Sequence, residues 1–165
     1  VLFRCFYQTL YTASDVSEES ESSILASLSL SLSLSEATET QREMLGAPIT
    51  EEEVQCALKS LKPAKTPGPD GFKGHFYKSF SAFLTPHLIK LFNHIRRVVD
   101  VTSSMKEALV TLIPKPGKDS RYCASYRPIA LLNIDIKLYY KILVTRLEEV
   151  LLHLIHPDQS GFVSE

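Results

Sequence analysis

The chain has 165 residues, of which 44% are hydrophobic and 22% are charged, and its formal net charge is −1. This composition is ordinary for one globular domain and excludes a histone-like basic tail, while the lack of any run of about 18 apolar residues argues against a membrane span. The charge is uneven: residues 1–50 carry a net −5 and residues 51–165 a net +4. The basic excess in the second part permits a phosphate-binding face without requiring one.

Three cysteines, Cys5, Cys56 and Cys123, lie far apart in the sequence. Their odd number and wide spacing argue against a disulfide framework and a zinc site, and fit a reducing compartment. We therefore expect an intracellular location, nuclear or cytoplasmic. Because the chain begins at Val1 rather than at Met, we also expect that its true start is missing.

The first 48 residues contain few groups that can form a core. Residues 1–12 are aromatic and apolar and predict a short packed element. Residues 14–23 are acidic and rich in serine, which predicts a disordered linker. The repeat Ser27–Ser35 alternates serine with leucine, a pattern typical of a half-buried strand. Its low complexity and the weak strand propensity of leucine leave an irregular or helical linker equally open.

A helix is predicted to begin after Thr50. Thr50 and Glu53 have the spacing of a capping box, and Ile49 can pack onto the first turn. Pro63 should end the helix. The predicted buried face consists of Val54, Ala57, Leu58 and Leu61.

Residues 63–71, PAKTPGPDG, predict a rigid exposed loop that presents Lys65. A second helix is predicted over residues 73–84, and Thr85-Pro86 has the pattern of an N-cap and first position of a third helix. The buried stripe predicted for this third helix consists of Leu88, Leu91, Phe92, Ile95 and Val99.

The apolar run Ala108–Ile113 and the segment Tyr126–Leu132 predict a two-stranded antiparallel hairpin with a basic tip. Asn133 or Asp135 can cap a last helix, which His156-Pro157 would end. Its predicted apolar stripe is Ile134, Leu138, Ile142, Leu147, Val150, Leu151 and Leu154.

Several segments in this order resemble LINE-type (non-LTR) retrotransposon reverse transcriptases: ITEEEVQCALKSLKPAKTPGPDGF, LVTLIPKPGKD, YRPIALLNIDIKLYYKILVTRL and LIHPDQSGF. The start, FYQTLYTAS, is similar to the linker that follows the endonuclease of that family. The resemblance implies a linker over 1–48, a helical segment before the fingers over 49–107, and the start of the reverse transcriptase domain over 108–165. The expected fold is α+β and mostly α-helical: part of the fingers with a short antiparallel β-hairpin, and no palm.

The resemblance also implies binding residues. Arg127 would contact the triphosphate of the incoming dNTP and Lys115 would be a second contact, since arginine donates paired hydrogen bonds to phosphate. The alternative is that these cations are solvated loop charges. The residues expected at the RNA template are Lys65, Lys118, Lys137, Lys141, Arg146, Gln159 and Phe162. For the template lysines and Arg146, an ordinary solvated surface remains the alternative.

The family's magnesium ions would be held by carboxylates that this sequence lacks. It has no adjacent aspartates; all six stand alone, so no residue is predicted to bind metal or to be catalytic. We expect the catalytic acids to follow Glu165 and expect no cofactor and no polymerase activity for this chain alone. Two other interpretations stay open: a non-functional relic of a retroelement, and a helical protein-interaction module.

Overall fold

A computed structural model of the chain describes residues 2–12, 17–29, 36–62 and 64–155. These ranges are mostly helical and contain one two-stranded sheet, as expected for the predicted α+β class. None of their helices is long and apolar enough to cross a bilayer. In chain order the elements are α1 (Leu2–Tyr11), α2 (Glu18–Ser29), α3 (Glu39–Gly46), α4 (Glu51–Ser60), α5 (Gly74–Ser79), α6 (Ser81–Val98), α7 (Ser103–Lys106), β1 (Ala108–Pro114), a 3-10 turn (Cys123–Ser125), β2 (Tyr126–Leu132) and α8 (Ile134–Leu154).

The chain divides into two compact units that interleave in sequence. Unit 1 comprises residues 1–35 and 112–127, and unit 2 comprises residues 36–111 and 128–165. The hairpin formed by β1 and β2 contributes its tip to unit 1 and its base to unit 2.

In unit 1, α1 packs on the tip of the hairpin. The Phe3 ring meets the Tyr126 ring edge-on at 4.9 Å, and the Tyr7 hydroxyl donates to the Tyr126 carbonyl at 3.2 Å. Aromatic pairs in this geometry attract beyond the area they bury, by about 0.5–1.5 kcal/mol. The short packed element predicted for residues 1–12 is therefore confirmed.

The predicted disorder of residues 14–23 is wrong from Glu18 onward, because α2 begins there. The Ser17 hydroxyl accepts a hydrogen bond from the Ser20 amide at 3.3 Å, and three glutamates occupy the first turn. This cap and the favourable interaction of acids with the positive helix end stabilise a segment that has little to bury. The beginning of the serine–leucine repeat belongs to α2, and residues 30–35 lie outside the described residues.

In unit 2, α4 forms as predicted. The Glu53 amide donates to Thr50 Oγ1 at 3.3 Å and the Thr50 amide donates to Glu53 Oε2 at 2.8 Å, which is the predicted capping box. Val54, Ala57 and Leu58 are buried. The helix thus presents its predicted apolar face to the core.

The start predicted for the third helix is wrong. The helical conformation is interrupted at Phe80, between α5 and α6, and Pro86 lies inside α6. Thr85 is buried and its hydroxyl donates to the Ser81 carbonyl at 2.8 Å, so it bonds back into the preceding turn instead of capping a new helix. Val99, predicted to be buried, is 89% exposed in the left-handed position that ends α6.

The core of unit 2 lies where α4, α6 and α8 pack together. Its central side chains include Leu88, Phe92 and Ile95 from α6 and Ile134, Leu138 and Ile142 from α8. Most of the predicted stripe of α8 is buried or half-buried, but Leu147 is 42% exposed. The stripe prediction is wrong at that position because the Leu147 side chain faces solvent.

The predicted hairpin is confirmed. The Lys115 amide donates to the Ser125 carbonyl at 2.8 Å, where the two strands close. Beyond it the chain turns at Pro116-Gly117, with the Lys118 amide donating to the Lys115 carbonyl at 3.3 Å and Gly117 at φ 70°. Proline followed by a glycine of positive φ is the residue pair that this turn type requires.

Candidate nucleic-acid interface

The tip of the hairpin, residues 115–127 in unit 1, is the most cationic short segment of that unit. It carries Lys115, Lys118, Arg121 and Arg127 against a single carboxylate, Asp119. Because all five side chains are exposed or half-exposed, the net charge of +3 faces solvent. The segment is suited to an anionic ligand, and the four cations differ in how far they are already paired.

Arg127 is the free cation of the tip. It lies in β2, and its exposed side chain makes no hydrogen bond or ion pair with any residue that the structure describes. The residue before it is held firmly, since the Tyr126 hydroxyl donates to the Ser120 carbonyl at 3.1 Å and its ring packs on Phe3. The Arg127 guanidinium is thus unpaired among the described residues, and it extends from a strand that the contacts of Tyr126 hold in place.

Lys115 is partly engaged. Its Nζ donates to the Ala124 carbonyl at 2.7 Å and its amide closes the hairpin. An ammonium group has three donors, so two remain for a ligand. Lys115 therefore both braces the tip and contributes charge at its surface.

Arg121 belongs to the same tip and was missed by sequence reasoning. It forms a bidentate pair with Asp119, in which Nη2 donates to Oδ2 at 2.7 Å and Nε donates to Oδ1 at 3.1 Å. This contact holds the pKa of Asp119 below its ordinary value. The Asp-Ser-Arg spacing after a glycine turn was the available signal. Lys118 is exposed, with no side-chain partner in the described part of the chain.

In unit 2, three of the lysines predicted to bind template carry no side-chain hydrogen bond or ion pair to a described residue: Lys65, Lys137 and Lys141. Lys65 is exposed in the loop after α4. Lys141 lines a groove of about 250 Å³ between α4 and α8 together with Glu52 and Glu53. These two carboxylates oppose the approach of a phosphate there, so Lys141 has a poorer setting for an anion than Lys65.

Arg146 has a different role from the predicted template contact. It is only 7% exposed and all five of its N–H donors are used within unit 2. Nε and Nη2 bind Glu53 at 2.6 and 2.8 Å, and the remaining hydrogen bonds end on the carbonyls of Leu45, Ala47 and Pro48. The guanidinium has no donor left for a phosphate. It joins α8 to the junction of α3 and α4.

The pKa of Glu53 is lowered, first by its hydrogen bonds with Arg146, while burial opposes the shift. The pKa of Arg146 is raised by the same pair. Both groups are therefore charged in the folded protein.

Asn133 precedes α8 as predicted for a cap, but its side chain does not cap the helix. Instead Oδ1 accepts from the Asp70 amide at 3.1 Å and Nδ2 donates to the Ser104 carbonyl at 3.1 Å. Gly68 lies against it so closely that an added Cβ would stand 2.4 Å from the Asn133 amide nitrogen. Part of the predicted exposed loop is thus buried and fastened to the start of α8, which sets where Lys65 emerges.

The acidic side chains of the described ranges form no group that could hold a metal ion. Asp70 accepts the Phe72 amide at 3.0 Å, so it serves the turn as predicted. Burial, and then the charge of Asp70, raise the pKa of Asp135 in the first turn of α8. Gln159 and Phe162, predicted at the template, lie outside the described residues.

The chain is similar to proteins of mobile elements. It is 32% identical over 95% of its length to the transposon TX1 uncharacterized 149 kDa protein of Xenopus laevis, covering 12% of that protein. It is 36% identical over 70% of its length to the probable RNA-directed DNA polymerase from transposon BS of Drosophila melanogaster, covering 13%.

A third relative is the retrovirus-related Pol polyprotein from type-1 retrotransposable element R2 of Popillia japonica, at 33% identity over 70% of the chain and 15% of that protein. The chain thus spans about an eighth of the length of the curated relatives it matches. No family model matches it.

Proposed function

The chain belongs to the LINE-type (non-LTR) retrotransposon reverse transcriptases, and from this premise we propose that it contributes the fingers of an RNA-directed DNA polymerase, where the hairpin tip binds the triphosphate of the incoming dNTP. Arg127 is the principal contact and Lys115 the second. The exposed lysines of the tip and of unit 2 bind the backbone of the RNA template. Polymerase activity is named for longer relatives, of which the chain covers 13% and 14% in two cases.

The state of Arg127 is the observation that carries this proposal. A buried arginine with a carboxylate partner would have no donor to offer, as Arg146 illustrates. Arg127 has an exposed guanidinium and no partner among the described residues. Its two parallel N–H groups match a pair of phosphate oxygens, and such charge-assisted bonds are about twice as strong as neutral ones.

The template part of the proposal depends on charge rather than on base contacts. Lysines that bind phosphates contribute affinity without sequence preference and make that affinity dependent on salt. Lys118 and Lys65 are exposed and unpaired within the described ranges. Lys137 and Lys141 both lie on α8, where Glu52 and Glu53 make Lys141 the weaker of the proposed contacts. The template contacts proposed for Gln159 and Phe162 follow from the family resemblance alone.

Titration of the chain with dTTP tests the hairpin, with binding followed by nuclear magnetic resonance shifts of the tip amides. Because a hydrogen bond to a charged group is worth about 1.5–3 kcal/mol, Arg127→Ala should weaken binding about tenfold or more. Arg127→Lys should restore part of it, since lysine keeps the charge and loses the fork.

Arg121→Ala is the matched control, because it removes an arginine of the same tip that Asp119 already neutralises. It should change dTTP binding by less than about threefold, in keeping with the small value of exposed pairs. Equal losses of dTTP affinity in the two variants would show that the tip attracts the ligand by its total charge and not through Arg127 in particular. Unchanged binding in Arg127→Ala would contradict the proposal.

A further inference from the structure

Aromatic residues, most of them exposed, occur just before α5, within it, between α5 and α6, and at the beginning of α6 in unit 2, and their ring contacts form two groups. We define the aromatic row as Phe72, Phe76, Phe80, Phe83 and His87. The ring centroids of Phe72 and Phe76 are 4.5 Å apart, and those of Phe76 and Phe80 are 5.1 Å apart. The ring centroids of Phe83 and His87 are 5.2 Å apart. Phe76 also packs against the core, so the row has a fixed base.

Three phenylalanines of the row have about half or more of their surface exposed to solvent. Phe72 is 46% exposed, Phe80 is 53% exposed and Phe83 is 68% exposed. A phenylalanine is usually among the more buried residues, and adjacent exposed apolar side chains mark a binding surface more often than isolated ones do. The row therefore has the character of a surface that is covered when the protein works.

The segment that carries the row is strongly basic. Residues 54–99 contain eight lysines and arginines and one acidic residue, Asp70, whose carboxylate faces its own turn. Three of these cations donate to backbone carbonyls within unit 2: Lys78, Arg96 and Arg97. The other five are exposed lysines with no side-chain partner in the described ranges: Lys59, Lys62, Lys65, Lys73 and Lys90.

Two of these free lysines adjoin the row directly. Lys73 follows Phe72 and stands at the N-cap of α5, where its side chain makes no capping bond. Phe83, His87 and Lys90 are spaced i, i+4 and i+7 on α6, so they share one face of that helix. The row thus has one lysine next to Phe72 in the sequence and another on the α6 face that carries Phe83 and His87.

We infer that the aromatic row is a binding platform for single-stranded nucleic acid, with unpaired bases stacked on the rings and the flanking lysines on the phosphates. Stacking accepts any base because every base has a π-face, and a basic track follows the backbone. A protein partner is the less suitable occupant, since covering the row would also bury the unpaired charges of Lys73 and Lys90. The inference rests on the nucleic-acid part of the proposed function but uses none of the hairpin residues.

Binding of a fluorescein-labelled oligouridylate of about 12 nucleotides tests the platform by anisotropy. Stacking is worth about 1–3 kcal/mol per base, so Phe72→Ala combined with Phe80→Ala should weaken binding tenfold or more. Tyr11→Ala is the control, because Tyr11 is a 70% exposed ring in unit 1. It should leave the affinity unchanged. Both altered phenylalanines are largely exposed, so the variant should stay folded, as circular dichroism will verify.

An abasic oligonucleotide of the same length separates rings from charges. It keeps every phosphate and lacks every base, so the wild-type chain should bind it at least tenfold more weakly than oligouridylate. The Phe72→Ala, Phe80→Ala variant should distinguish the two ligands less than the wild-type chain does, because Phe83 and His87 remain. Equal affinity of the wild-type chain for both ligands would overturn the stacking proposal.

A tryptophan reporter gives a second readout, because the chain contains no tryptophan. In Phe80→Trp the single indole should be quenched by oligouridylate and far less by a duplex of equal length. In Tyr11→Trp it should respond to neither. An indole at residue 80 that responds to protein concentration but not to oligouridylate would assign the row to contacts between protein chains and overturn the proposal.

The two proposals fail separately. If Arg127→Ala loses dTTP binding while the phenylalanine variant binds oligouridylate normally, the platform is wrong and the hairpin stands. The reverse result leaves the platform standing and rejects the hairpin.

Discussion

Two arginines show how differently the two units use the same side chain. In unit 1, Arg127 extends from the hairpin with its guanidinium exposed and unpaired in the described part of the chain. In unit 2, Arg146 is 7% exposed and its five donors are bound by Glu53 and three carbonyls. The first has donors available for the ligand that we propose, whereas the donors of the second are all used within the fold. Accessibility and available donors, rather than residue type, separate the two roles.

The acceptors of Arg146 explain its burial. A charge taken out of water is costly unless hydrogen bonds compensate it. Here a carboxylate provides the countercharge, and the carbonyls of Leu45, Ala47 and Pro48 occupy the donors that Glu53 leaves. None of the described residues accepts a hydrogen bond from the Arg127 side chain, so its guanidinium stays at the surface.

The largest effect should follow Arg146→Ala. It leaves three carbonyls and the Glu53 carboxylate without their partner, which should lower the free energy of unfolding by about 3 kcal/mol. Urea denaturation followed by circular dichroism measures this. Arg127→Ala is the counterpart and should stay within about 0.5 kcal/mol of wild type, as surface changes do. Similar losses in both variants would abolish the distinction between the two arginines.

A pair of glycines sharpens the comparison with a smaller effect. Gly68→Ala places a Cβ 2.4 Å from the Asn133 amide nitrogen and 2.5 Å from the Leu132 carbonyl carbon. Since these backbone atoms must move to make room, we expect the free energy of unfolding to fall by about 2–3 kcal/mol. Gly117→Ala meets nothing within 4 Å and suffers only the strain of φ +70°, about 1 kcal/mol. Thermal unfolding of the two variants should rank them in this order; the opposite order would contradict the packing at Asn133.

The pH dependence of unfolding tests the Glu53–Arg146 pair. The pKa of Glu53 is lowered in the folded protein, so its contribution is present above the ordinary value of 4.5 and is lost as pH falls through the lowered value. Urea midpoints between about pH 7 and pH 3 should therefore decline more in wild type than in Glu53→Gln. Parallel curves would show that the pair does not contribute through its charge.

The smallest effect concerns two aspartates whose pKa values shift in opposite directions. Burial raises the pKa of Asp135, whereas Arg121 lowers that of Asp119. Because the pKa of Asp135 is higher in the folded state than in the unfolded state, ionisation of this group favours unfolding. The folded protein therefore loses stability as pH rises through the raised pKa. Asp135→Asn should therefore raise the thermal midpoint at pH 7 relative to wild type, and the gain should disappear near pH 4. Asp119→Asn, in the exposed tip, should give no gain at pH 7.

Sequence patterns predicted the elements whose signals are local. The capping box of α4 depends on Thr50 and Glu53, three residues apart, and the hairpin depends on a proline–glycine turn between two apolar runs. Prediction failed where a distant partner or a buried environment decided. Pro86 is tolerated inside α6 and Thr85 is buried there, whereas the isolated pattern indicated a helix start.

The site could be predicted only in part for the same reason. The sequence motifs led to the hairpin and to Arg127, and they overlooked Arg121 and the aromatic row. The sequence pattern does not distinguish the row from the apolar residues of ordinary helices. The exposure of Phe72, Phe80 and Phe83 depends on which faces of the helices pack against the core. The free lysines of residues 54–99 became visible as a group only when the internal partners of Lys78, Arg96 and Arg97 were known.

The sequence by itself determined the family, through the order of several motifs along the chain. It also determined the hairpin and the first turn of α4, because each depends on residues close together in the chain. Only the tertiary structure decided which cations are free. Arg146 meets Glu53 across 93 residues of sequence, and no local pattern encodes such a contact. An arginine becomes a binding residue or a structural one according to the acceptors that folding brings to it.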